Sequence, residues 1–156
     1  MRNLFLTLFV ILGLNQLALA ISCLSARSQI ENNKIILLGS AEHHASQIYF
    51  FKNTSRQSVF IDHVKQNPGA SAGWSSYLRP YHWSALVLNQ KNFTVSCVMI
   101  QPGKVIPLNC SRTLFICSPQ NIIPRLPLKG NYWLVEDKPW NLFLRQLVKQ
   151  GVKFTK

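Results

Sequence analysis

The side chains able to do chemistry are few. There are four cysteines (Cys23, Cys97, Cys110, Cys117), four histidines (His43, His44, His63, His82) and five acids (Glu31, Glu42, Asp62, Glu136, Asp137). Four cysteines allow three complete pairings. Cys97 on a strand and Cys110 just past the next turn are placed to face one another across a hairpin; Cys97–Cys117 and Cys110–Cys117 links are also feasible. The fourth cysteine then pairs with Cys23, or Cys23 carries lipid and one thiol is left over. A staple within Cys97–Cys117 is expected, worth ~2–4 kcal/mol. Zinc held by these cysteines is not expected, because no C-x-x-C pair or following histidine stands at finger spacing.

The alternative chemistry is a copper or zinc site. It requires two or three of His43, His63 and His82 to converge, with Met99 or a cysteine completing the ligands. The adjacent His43 and His44 cannot both point to one face of a strand. Catalysis has less to build on. The Glu136-Asp137 pair, at a strand–helix junction, reads as charge complementing a helix N-terminus. No G-x-S-x-G turn is present. A Cys/His nucleophile conflicts with a compartment that favours disulfides. The expectation is therefore no catalytic residue and no cofactor. Asn53, Asn92 and Asn109 each open an Asn-x-Ser/Thr sequon.

Aromatic residues concentrate in Asn67–Leu88, which opens on the turn signal Asn67-Pro68-Gly69 and ends in the apolar run Ala85–Leu88. Trp74 and Trp83 are expected in a core, because large rings dominate burial. Tyr77, Arg79 and Tyr81, with polar or cationic tips, are the expected contact surface.

These groups need a scaffold, and the N-terminus says where it works. Met1-Arg2-Asn3, the apolar run Leu4–Leu14 and Ala18-Leu19-Ala20 form a signal peptide over residues 1–20. Residues 21–156 then make a single domain, large enough for a core and small enough to benefit from covalent staples. The chain carries 17 Lys and Arg against 5 acids, a net charge of +12. The bases are scattered rather than clustered, and their positive field either attracts anionic lipid, lipopolysaccharide, glycans or nucleic acid or is a solvated surface that confers solubility; another envelope or host protein is a further expected partner. Without a clustered basic face or a recognised motif, nucleic acid is not expected.

Ser22–Asn33 reads as a loose polar lead-in. Lys34–Leu38, Gln47–Lys52, Ser58–Val64, Trp83–Leu88, Phe93–Ile100 and Asn131–Val135 read as strands. The second and third of these flank the polar loop Asn53–Gln57, so a hairpin is the simplest pairing. Val105–Leu108 contains Pro107, which assigns it to an edge. Residues 118–130 are rich in proline and read as an irregular crossing. A helix over 139–150 follows, with Trp140, Phe143, Leu144, Leu147 and Val148 at helical spacing and Gly151 as its cap. The fold class is mainly β: an antiparallel, sandwich-like domain, disulfide-stapled, with one C-terminal helix.

Several elements carry a resemblance by their order and spacing: Trp83-Ser84-Ala85, Phe93-x-x-x-Cys97, Cys110-x6-Cys117, and Gly130-Asn131-Tyr132-Trp133-Leu134-Val135 followed by Lys138-Pro139 and a terminal helix. Together, over Ile48 to Val152, they resemble the enhanced-entry proteins of the EnhB type, small exported bacterial proteins associated with entry into host cells. The resemblance implies an envelope, periplasmic or secreted location and a virulence-linked, non-enzymatic role. It implies no defined reaction and brings no catalytic residues with it.

Overall fold

The computed structural model describes residues 22–38, 47–63, 75–88, 92–124 and 130–155. Residues 1–20, read above as a signal peptide, His43, His44 and the Asn67–Trp74 part of the aromatic stretch lie outside the described residues. The chain forms β1 (Cys23–Ser25), β2 (Ser28–Glu31), β3 (Lys34–Leu38), β4 (Gln47–Asn53), β5 (Val59–His63), β6 (Ser76–Leu78) and β7 (Trp83–Leu88). It continues with β8 (Asn92–Gln101), β9 (Lys104–Leu108), the one-turn helix α1 (Cys110–Thr113), β10 (Leu114–Pro119) and β11 (Ile122–Pro124). The last elements are β12 (Tyr132–Lys138), helix α2 (Trp140–Lys149) and β13 (Val152–Phe154).

Among the described residues two large antiparallel sheets result, beside a two-stranded ribbon of β11 and β13. One runs β1-β10-β4-β7-β12; the other runs β2-β3-β8-β5-β6, with β9 also paired to β8. Val95 pairs with both Ile35 and His63, and Cys97 with both Ile61 and Leu108. Each strand has two flanks, so β3 and β9 lie end to end on one flank of β8 and β5 takes the other. β9, with Pro107 and Lys104, is the expected edge strand.

Between the sheets, Ile35, Leu37, Val59, Ile61, Phe93 and Val95 meet Tyr49, Phe51, Leu86, Leu88, Leu114 and Ile116. On the far face of the five-stranded sheet, Ile48, Phe50, Ala85 and Val87 pack under Phe143 and Leu147 of α2 and Val152 of β13. The molecule is thus three layers deep: sheet, sheet, then helix with the small β11–β13 ribbon. Phe50 meets Phe143 edge-on at 4.9 Å, while its neighbour Phe51 meets Trp133 at 5.3 Å on the opposite face. Consecutive phenylalanines in a strand point oppositely, and here both directions lead into core. The Tyr49 hydroxyl donates to Gln47 Oε1 at 2.6 Å, and burial pushes its phenol above the ordinary value of 10.0.

Several expectations need correction. Ser22–Asn33 is not a loose lead-in: it supplies β1 and β2, and Asn32 and Asn33 (φ 47 and 65) turn a two-residue hairpin into β3. β4 and β5 are not hairpin partners, because β4 pairs with β10 and β7 and β5 with β6 and β8. The polar segment between them is a corner that changes sheets. Helix α2 begins at Trp140, with Pro139 outside it as the cap residue. Val148 is 48 % exposed rather than part of the docked stripe. Gly151 ends the helix as expected, at φ 86 with its N–H donated to the Val148 carbonyl.

The cysteines form Cys97–Cys110 and Cys23–Cys117, with Cα separations of 5.3 and 5.5 Å. The first lies inside the expected segment; the second ties β1 to β10 in the five-stranded sheet. Lipid attachment at Cys23 is corrected by this second bond, which uses the sulfur that a thioether would need.

Candidate functional site

Between β6 and β7 the chain changes sheets in four residues, Arg79 to His82. The His82 N–H donates to the Arg79 carbonyl at 3.1 Å, closing a β-turn with Pro80 and Tyr81 at its centre. Proline first and a left-handed second residue (Tyr81, φ 61) mark a type II turn. Glycine is the usual occupant of that second position; a residue with a Cβ costs roughly 1–2 kcal/mol there. Hydrogen bonds from Tyr81 N–H to the Asn53 carbonyl (3.0 Å) and from Asn53 N–H to the His82 carbonyl (3.1 Å) hold the turn against β4.

Asp137 is left-handed too (φ 47) and sits where the β12–β7 register shifts. Its backbone N–H donates to Ser84 Oγ at 2.9 Å. Its carboxylate takes three donors: Arg79 N–H at 2.9 Å and His82 Nδ1–H at 2.9 Å on Oδ1, and Arg79 Nε–H at 2.7 Å on Oδ2. Asp137 is therefore not a helix N-terminal charge, and no acid stands in the first turn of α2. It is the hub that fastens the β6–β7 corner to β12, joining the two sheets along one side. Nothing local in the sequence signals this, since Arg79 and Asp137 are 58 residues apart.

A carboxylate on an imidazole nitrogen is the geometry that orients a general base. Among the described residues no nucleophile is hydrogen-bonded to the His82 ring. The serine tied to the cluster, Ser84, is fully buried and its oxygen already accepts the Asp137 N–H. All four cysteine sulfurs are in disulfides. Among the described residues no three His, Cys, Asp or Glu side chains are grouped to hold a metal. His82 is turned to Asp137, His63 lies on β5 opposite Val95, and His43 falls outside the described residues.

What the clasp displays is clearer. Tyr77 is 50 % exposed, Tyr81 54 % and the Arg79 side chain 54 %. Tyr77 also ends an apolar row, Tyr77–Phe60–Val98–Pro107, on the outer face of the six-stranded sheet. A cavity of about 300 Å³ opens beside it, lined by Gln57, Phe60, Tyr77, Met99, Ile100 and Gln101. Trp83, expected in the core, is half-buried: it lies 4.6 Å from Trp140 and 5.9 Å from Phe143.

The sequons differ in access. Asn53 is buried, and its Nδ2 donates to the Gln57 and Leu78 carbonyls. The Asn109 Nδ2 donates to Asn33 Oδ1. Asn92 is exposed at the start of β8. Comparison of the chain with protein-family models, with curated proteins and with solved structures finds no match.

Proposed function

We propose that this chain is an exported, non-enzymatic domain that works by contact at an anionic surface of a cell envelope or of a host cell. The resemblance to enhanced-entry proteins supplies the biological setting, promotion of bacterial entry into host cells. Two disulfides fit an oxidising compartment. The observation that carries the reading is electrostatic. Of 17 basic side chains set against 5 acids, Arg79 alone is ion-paired among the described residues, and on the same acid as His82. Arg27, Arg56, Lys104, Arg112 and Lys153 are exposed without such partners. Their field is left for an external anion, on a scaffold stapled firmly enough to present it.

Binding of the domain to phosphatidylglycerol vesicles and to lipopolysaccharide, each at low and high salt, tests this. Attraction that weakens strongly with salt is expected, because screening shortens the reach of surface charges. Absence of binding, or binding indifferent to salt and equal on neutral vesicles, overturns it.

A further inference from the structure

At one end of the five-stranded sheet, four side chains stand opposite one another on four successive strands. Phe115 of β10 pairs with Lys52 of β4, Lys52 with Trp83 of β7, and Trp83 with Lys138 of β12. Ring, cation, ring and cation therefore alternate along one row. Trp140 closes against it, 4.6 Å from Trp83, and Phe115 stands edge-on to Trp83 at 6.5 Å. The Lys52 ammonium is held 5.4 Å above the Trp83 ring.

Two facts make this row available to a ligand. First, neither Lys52 nor Lys138 is ion-paired among the described residues, and no acid in the first turn of α2 neutralises them. Second, the rings are partly open: Phe115 is 39 % exposed, and Trp83 and Trp140 are half-buried. The lysines are two strand spacings apart, about 10 Å, so they suit two acidic groups on one ligand better than a single ion. Trp83 and Trp140 lean on one another and on buried Phe143, which fixes them in place as a wall. A bilayer calls for side chains that project and insert; half-buried rings held in this way suit a flat, polar ligand.

Resting on the contact function proposed above, we infer that the row Phe115–Lys52–Trp83–Lys138, with Trp140, binds an acidic oligosaccharide. The carboxylate, sulfate or phosphate groups meet the two lysines, and the less polar faces of the sugar rings lie on the aromatics. The recognition site is then the helix end of the five-stranded sheet, which the Tyr77–Tyr81 corner adjoins through Asn53, His82 and Asp137.

The test uses a sulfated hexasaccharide as probe, an unsulfated one of equal length as control, and phosphatidylglycerol vesicles as the membrane arm. Binding is followed by titration and by tryptophan fluorescence. The wild-type protein is expected to bind the sulfated probe with a fluorescence change and to bind the unsulfated one far more weakly. Lys52→Gln with Lys138→Gln is expected to weaken binding about tenfold, the combined effect of two surface charge contacts. Lys149→Gln with Lys153→Gln removes the same charge elsewhere and is expected to change it less than twofold. Circular dichroism of both double variants confirms that each is folded. Equal losses in the two variants overturn the site, leaving only a diffuse field and the contact function intact. Vesicle binding that needs Lys52 and Lys138, without saccharide binding, overturns the ligand. No salt-sensitive binding to any anionic probe overturns both readings.

Discussion

The two sheets are made from the same kinds of residue and are buried differently. In the five-stranded sheet, β4 buries Ile48, Tyr49, Phe50 and Phe51 in succession, and β7 buries every residue from Ser84 to Leu88. In the six-stranded sheet, β3 alternates, with Ile35 and Leu37 buried between half-buried neighbours, and its outer face meets solvent. The difference follows from α2: a sheet covered on both faces has no use for polar alternation. One sheet is the structural centre of the molecule, and the other closes it on one side and shows its far face to water.

That contrast can be broken by experiment. The largest expected effect is on the Cys23–Cys117 bond, which spans 94 residues and ties the edge of the five-stranded sheet. Replacing both cysteines by serine is expected to cost about 4.7 kcal/mol in denaturant unfolding, by the chain-entropy estimate for a long loop. The same change at Cys97 and Cys110, 13 residues apart in the six-stranded sheet, is expected to cost about 3 kcal/mol. Equal losses would remove the distinction between the two staples.

Phe143 is next. It is fully buried and touches the rings of Phe50, Trp83 and Trp140. Phe143→Ala is expected to lower stability by about 3–5 kcal/mol, the range for a deleted buried aromatic, as read from the urea midpoint. Asp137→Ala removes the acceptor for Arg79 and His82, and a loss of about 1–3 kcal/mol is expected. Amide exchange should speed up locally along β6 and the 79–82 turn; exchange raised uniformly would deny the clasp its local role. Smallest of all is Ile100→Ser on the outer face of the six-stranded sheet, where Ile100 is 60 % exposed. A change within about 0.5 kcal/mol is expected, and a core-sized loss would mean that this face is covered.

The contrast also explains what the sequence made legible. Apolar runs at 48–51 and 84–88, the edge proline Pro107, the helix stripe of Trp140, Phe143 and Leu147, and Gly151 after it all follow from local periodicity or turn chemistry. Pairing did not. Asn53–Gln57 looks the same whether it folds β4 back on β5 or passes from one sheet to the other. What decides is the buried Asn53 amide, which bonds to Gln57 and across to Leu78. Ser22–Asn33 looked loose because its residues are mostly polar and exposed; its order comes from β3, β10 and Cys117, all distant in the chain. At the corner, the polar and cationic tips of Tyr77, Arg79 and Tyr81 are legible in the sequence, and all three side chains are exposed. Asp137 was misread because its carboxylate serves residues 55 and 58 positions away, not the helix that follows it.

The order β1-β10-β4-β7-β12 has a kinetic consequence. Strand β1 is hydrogen-bonded to β10, and the other border of the same sheet is β12. No N-terminal fragment contains a complete version of that sheet, so closure waits until most of the chain is available. Contacts so remote in sequence make folding slow, because chain ends must find one another before any pairing repays the search. The Cys23–Cys117 bridge, 94 residues apart along this border, waits for that closure, whereas Cys97 and Cys110, 13 residues apart, do not.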